Sequence, residues 1–275
     1  MLNRLSGAFD RRMVIGAGLL FLILLCLLLF NHFRGGKAEN QKPDLLLMSS
    51  MPLQWGEASM TDIANGEAQP SPLFQHLTER NRVVLVDDFQ KLGRPGSKPL
   101  LLVQPRALAP RELVQLDDWI RDGGSAIIFA DPALHWPSDL PLGDRRRPLF
   151  TSLLTPMFRH WGLDLALPVD EGLQDRTAAV SNYRLSLKSA GIWQVTKDAA
   201  PAAKCKVRAD QLMAYCAVGK GTALLVADAD VLDDGRWTDT LVSSGTMAWL
   251  DALIQASRTN ESIPGNLWEV GGDSR

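Results

Sequence analysis

Two kinds of apolar run alternate with polar sequence along this chain, and they predict different things. The first, residues 13–30 (MVIGAGLLFLILLCLLLF), has no polar face at any angle. That excludes the surface helix of a soluble domain. At the helical rise the run would span roughly 27 Å, close to the thickness of a hydrocarbon core. It predicts an uncleaved transmembrane helix behind a short cytoplasmic tail at 1–12. A cleaved signal peptide is the competing reading. Its apolar core is shorter and ends at a small-residue site, whereas this run exits into Asn31-His32-Phe33-Arg34. Arg4, Arg11 and Arg12 precede the run, and Arg34, Lys37 and Lys42 follow it. The positive-inside count is therefore nearly balanced. The short tail favours an N-terminus inside and the rest of the chain outside.

The second kind begins after a polar, glycine-containing linker at 31–42. Short continuous runs at 45–48 (LLLM), 83–86, 99–103, 125–130 (SAIIFA) and 223–227 predict strands covered on both faces. Between the third and fourth, Pro110 opens a helix at its first turn. Leu113, Leu116, Trp119 and Ile120 fall on one face of it, and Gly123-Gly124 stops it. Strand–helix–strand alternation predicts an α/β domain over 43–258, a largely parallel sheet with helices on both faces. Residues 149–161 have helical periodicity and end at Gly162. Residues 163–169 read as extended, 178–196 as further strands, and 204–217 as an added β-hairpin turning at Arg208-Ala209-Asp210-Gln211. A helix at 246–256, with Met247, Leu250, Leu253 and Ile254 on one face, closes the domain. Residues 259–275 read as a tail.

Composition changes this picture little. Hydrophobic residues make up 46% and charged residues 22% of the 275, enough to bury a core. A formal net charge of −2 gives no general attraction to nucleic acid. The cysteines add more. Cys26 lies inside the long apolar run, where a thiol is inert. In a hairpin centred between residues 210 and 211, Cys205 and Cys216 stand nearly opposite, within reach of a disulfide. Two reduced buried thiols are the alternative. A disulfide suits an oxidising compartment. With the anchor, it leads us to expect a single-pass protein of a bacterial-type inner membrane, its C-terminal domain in the periplasm.

Four stretches together resemble a known family. They are Leu100-Leu101-Leu102-Val103-Gln104-Pro105 with the helix start at Pro110-Arg111-Glu112-Leu113; the helix, double glycine, strand and Asp131-Pro132 that follow; Leu153-Leu154 through Trp161-Gly162-Leu163; and Val218-Gly219-Lys220-Gly221 through Asp228-Ala229-Asp230. In this order and spacing they are similar to the GldG-type auxiliary proteins of ABC transport systems, over residues 43–256. The resemblance implies a flavodoxin-like sheet related to class I glutamine amidotransferases, placed outside the membrane, with the permease and ATPase subunits of a transporter as partners. Some members carry a second transmembrane helix near the C-terminus, which this sequence does not contain.

An amidotransferase-like sheet invites a search for a nucleophile on a strand-to-helix turn with a His nearby. Cys205 and Cys216 fall in the hairpin instead, and neither G-x-S-x-G nor G-x-C-x-G occurs. Gly219-Lys220-Gly221-Thr222 has the wrong spacing for a phosphate loop and precedes a strand, so it reads as a tight turn. His32, His76, His135 and His160 show no metal-ligand spacing. Arg145-Arg146-Arg147 reads as a solvated basic loop. Asp228, Asp230, Asp233 and Asp234 follow a buried strand, at the sheet edge where open α/β sheets bind ligands. Asp131 ends another strand and could join them. Such carboxylates can hold Mg²⁺ or Ca²⁺, but the EF-hand pattern is missing and Asp is a common turn residue. We therefore expect neither metal nor cofactor. Trp55, in the loop after the first strand, marks a candidate interaction surface. The expected function is a non-catalytic accessory component of an ABC-type transport system. Its domain would dock or bind a ligand near Trp55, Asp131, Asp228 and Asp230. The alternative is a membrane-tethered hydrolase or amidotransferase-like enzyme using the Asp cluster.

Overall fold

A computed structural model describes Cys26 and residues 42–144, 146–168, 175–196, 202–237 and 239–259. The expected anchor at 13–30, apart from Cys26, lies outside the described residues, as do the tail at 1–12, most of the linker and residues 260–275. Among the described residues no helix is long and apolar enough to cross a membrane.

From Pro43 onward the chain forms one unit, built on a seven-stranded sheet. Its strands are β1 (Asp44–Ser49), β2 (Arg82–Leu85), β3 (Leu100–Val103), β4 (Ser125–Phe129), β11 (Gly221–Val226), β10 (Met213–Val218) and β9 (Lys204–Arg208). Their order across the sheet is β2-β1-β3-β4-β11-β10-β9. The first five are mutually parallel; β10 is antiparallel to β11, and β9 is antiparallel to β10. Burial explains the order. The runs LLLV and SAIIF are buried at every position, as central strands require, while RVVL in β2 is half exposed and lies at the edge. Two small antiparallel pairs complete the strands: β5 (Leu163–Ala166) with β8 (Ile192–Val195), and β6 (Asp175–Val180) with β7 (Tyr183–Lys188).

Among the described residues of this unit the helices are α1 (Met60–Asn65), α2 (Pro72–Arg80), α3 (Pro110–Arg121), α4 (Thr155–His160) and α5 (Thr240–Thr259). The β1-α2-β2 and β3-α3-β4 crossovers advance in opposite directions along the sheet, so right-handed connections put α2 and α3 on opposite faces. α5 joins α2 through the His76–Asp251 contact at 3.0 Å. α4 joins α3 through Trp161, whose indole Nε1 donates to Asp117 Oδ1 at 2.6 Å. α3 starts as the sequence predicts, with Pro110 in its first turn and Leu116, Trp119 and Ile120 buried. It ends where Gly123 takes φ +116°, and a Cβ on Gly124 would lie 2.3 Å from the Trp119 ring.

Two local expectations need correction. The helix expected over 149–161 covers only Thr155–His160. Tertiary hydrogen bonds hold the first part out of the helix: Leu149 O accepts from Gln104 Nε2, Phe150 O from Leu134 N, and Ser152 N donates to Asp131 O. The sequence reading also overlooked α1 and α2, although Ser59 and Ser71 cap them, accepting from Asp62 N and Phe74 N. The hairpin falls where its register predicts. Cys205 pairs directly with Cys216 across β9 and β10, and the two form a disulfide. Gly219 and Lys220 make the tight turn that feeds β11.

Candidate functional site

The carboxyl ends of β3, β4 and β11 carry a group of buried polar side chains, Gln104, Asp131, Asp228 and Asp230. Gln104 follows β3 with φ +39° and is fully buried. Its Oε1 accepts from Asp131 N at 2.9 Å and its Nε2 donates to Leu149 O at 2.9 Å. One carboxamide thus terminates both β3 and β4. Ser50, just past β1, donates its hydroxyl to Gln104 O. The chain reverses direction across the sheet between β1 and β3, and a crevice at such a reversal is where open α/β sheets commonly bind ligands. Here the Ser50–Gln104 contact ties the two sides together.

Asp131, Asp228 and Asp230 meet beside this staple, at the ends of β4 and β11. All three are fully buried. One carboxylate oxygen from each lies within 4.8 Å of the others. Backbone donors hold them: Asp131 accepts from Ala133 N (2.7 Å) and Ala229 N (3.0 Å), Asp228 from Lys188 N and Val231 N (both 2.9 Å), and Asp230 from His135 N (2.7 Å). Burial, and then the neighbouring Asp230, pushes Asp131 up to about 7. Burial raises Asp230 to about 6 against the pull of His135 N–H and Arg236. Asp228 is raised by burial and by both other carboxylates. Values in this range would serve proton transfer at neutral pH, but these carboxylates are walled off from solvent.

The remaining candidates are dispersed. Trp55 is 45% exposed and lines a cleft of about 400 Å³ at the carboxyl ends of β1 and β2, with Ser49, Met51, Phe74, Leu85 and Asp87 among its walls. Asp131, Asp228 and Asp230 do not line it. Asp233 caps a short turn through Gly235 N, and burial raises both Asp233 and Asp234. His135 sits in a broad depression of about 740 Å³ after β4, with Trp136, Arg147 and Phe150; burial, Lys188 and Arg236 lower its pKa. The basic loop is partly neutralised. Arg146 pairs with Asp144 at 2.7 Å, while Arg147 donates to Leu140 O and lies over the Phe150 ring. Arg145 lies outside the described residues. His76 is held by Asp251, and His160 lines an apolar groove between α3 and α4. Sequence reasoning missed Gln104 and the backbone donors of His135 and Lys188. An isolated Gln after a strand gives no signal, and backbone donors are invisible in side-chain patterns.

No family model matches the chain, and no curated protein matches it. Among solved structures it is similar to an exo-β-1,4-mannosidase from Opitutaceae bacterium strain TAV5, at 13% identity and a TM-score of 0.46, over 78% of this chain and 36% of that one. It is similar to a β-galactosidase from Bacillus circulans sp. alkalophilus, at 10% identity and a TM-score of 0.37, over 77% and 31%. A ThuA-like protein from Bacteroides uniformis matches at 11% identity and a TM-score of 0.39, over 84% of this chain and 98% of that one. The chain spans about a third of the length of the two glycosidases. Likeness at these TM-scores bears on neither the fold family nor the activity.

Proposed function

We propose that this chain is a membrane-anchored accessory component of an ABC-type transport system, and that its α/β domain works by docking or ligand binding. In this reading the helix at 13–30 holds the domain at the periplasmic face of the inner membrane. The partners are the membrane and the permease or ATPase subunits of the transporter. The binding part rests on one observation, the cleft beside Trp55. It is open, has largely apolar walls and lies at the carboxyl edge of the sheet, whereas Asp131, Asp228 and Asp230 are fully buried. The strand order β2-β1-β3-β4-β11 supports the flavodoxin-like sheet that the GldG-type resemblance implies, because it matches the 2-1-3-4-5 order of those sheets. The Cys205–Cys216 disulfide supports an oxidising compartment.

The test is copurification of the full chain from membranes in mild detergent. The wild type is expected to recover a permease or ATPase subunit, and Trp55→Ala to recover at least tenfold less while keeping the wild-type melting temperature. Recovery of neither subunit by the wild type would remove the transporter assignment. Equal recovery by Trp55→Ala would remove the cleft from it.

A further inference from the structure

We propose that β2 is a dimerisation edge: two copies of this chain pair their β2 strands antiparallel across a two-fold axis and join their sheets into one. This pairing is independent of the transporter reading. Among the described residues β2 pairs only with β1, so it forms one edge of the seven-stranded sheet. Arg82 N donates to Pro43 O and Val86 N to Leu47 O. Main-chain groups in a ladder alternate sides along the strand. Arg82, Val84 and Val86 therefore face β1, and the amides and carbonyls of Val83 and Leu85 face outward. The side chains along this edge are apolar. Val83, Val84 and Val86 are half-buried, and Leu85 is 50% exposed.

The two edges of the sheet differ in charge. β9, at the opposite edge, exposes Lys204, Lys206 and Arg208 at alternate positions. Such charges blunt an edge, and antiparallel self-pairing there would set like charges against each other. β2 has no charge and no Pro between Arg82 and Asp87. Its charges stand at its ends and differ in sign. At the start, Arg82 and Lys98 share one carboxylate, Asp44, at 2.6 and 3.0 Å, which leaves positive charge in excess. At the end, Asp87 and Asp88 follow one another; Arg106 donates to Asp87 O, but its charge is matched by Glu112 at 2.6 Å. An antiparallel second copy sets the basic end of each β2 against the acidic end of the other, once at each end of the pair, with apolar residues opposite apolar ones between. Opposite charges and β-branched pairs facing across strands are stabilising. Two symmetric registers, centred on Val84 or on Leu85, match the outward amides to outward carbonyls. A two-fold pair uses up both β2 edges, and the charged β9 edges stop further growth.

The experiment uses the full chain in mild detergent, with its mass read by light scattering. The wild type is expected at the mass of two chains. Leu85→Lys, at a half-exposed position that tolerates a charge, puts like charges close together at the axis. It should keep the wild-type far-UV circular dichroism and dimerise only at about tenfold higher concentration or more. In a Cys26→Ser background, Val84→Cys and Leu85→Cys are made singly, and the one at the axis should cross-link under mild oxidation. Because Leu85 also borders the Trp55 cleft, the readout is self-association and not recovery of a transporter subunit. A monomeric wild type overturns the proposal. So does a dimer that Leu85→Lys leaves unchanged, since the contact would then lie elsewhere, as in the helix expected at 13–30. A dimer in which neither cysteine variant cross-links also overturns it.

Discussion

Gln104 shows how much one side chain can hold in this fold. Its carboxamide satisfies a buried N–H of Asp131 and a buried carbonyl of Leu149 at once. Gln104→Leu keeps the volume but orphans both, and each orphan costs about 1–3 kcal/mol. We expect a fall of several degrees in melting temperature with the sheet retained by far-UV circular dichroism; an unchanged melting temperature would show that water replaces the amide. Gly221 makes a second such point by having no side chain. A Cβ there would lie 2.1 Å from Ile120 O and 2.2 Å from Gly124 O, and backbone cannot step aside. Gly221→Ala should destabilise by about 3 kcal/mol or more, read as a lowered urea midpoint. Neither residue stands out in the sequence. Gln104 looks like any polar residue after a strand, and Gly221 like one more turn glycine. Their roles depend on what the fold brings against them.

At the scale of elements, the hairpin and α3 carry the predictions. The β9–β10 turn places Ala209, Asp210 and Gln211 consecutively at positive φ. For L-residues such a conformation costs about 1–2 kcal/mol each. Ala209→Gly should therefore stabilise by about 1 kcal/mol, raising the urea midpoint. Reducing the Cys205–Cys216 bond, which closes a loop of sequence separation 11, should cost about 2–3 kcal/mol, seen as a lower melting temperature in reductant. At the start of α3, Glu112 accepts from Arg106 and from Ala109 N, and these partners hold its pKa at about 2, below its ordinary 4.5. A depressed folded-state pKa means that the unfolded chain binds the proton first. Its contribution is present above pH 4.5 and lost as pH falls toward 2. Glu112→Gln should flatten the acid limb of the stability curve in that window and lower the curve above pH 5 by a constant amount, read from urea midpoints across pH. The hairpin register was legible because two cysteines and a turn agree on one centre. The helix at 149–161 was misread because periodicity ignores the distant carbonyls and amides that claim residues 149–152.

Across the whole molecule, the sheet was the most legible part. Its central strands are continuous apolar runs, and the reason is simple: both faces are covered. The meeting of Asp131 with Asp228 and Asp230 was only half legible. Each residue could be placed at a strand end, but nothing local says that β4 and β11 are neighbours. That adjacency also governs how the sheet comes together. Ser125 pairs with Thr222 and Phe129 with Val226, so β4 waits about 90 residues for its partner. At ordinary elongation rates that is roughly 5–20 s. Through that interval β1 to β4 can assemble as a four-stranded sheet whose β4 edge has unpaired amides and carbonyls. An exposed apolar edge of this kind invites pairing with a second nascent chain. Yield should therefore depend on expression rate and on holdase chaperones more than the stability of the finished protein would suggest.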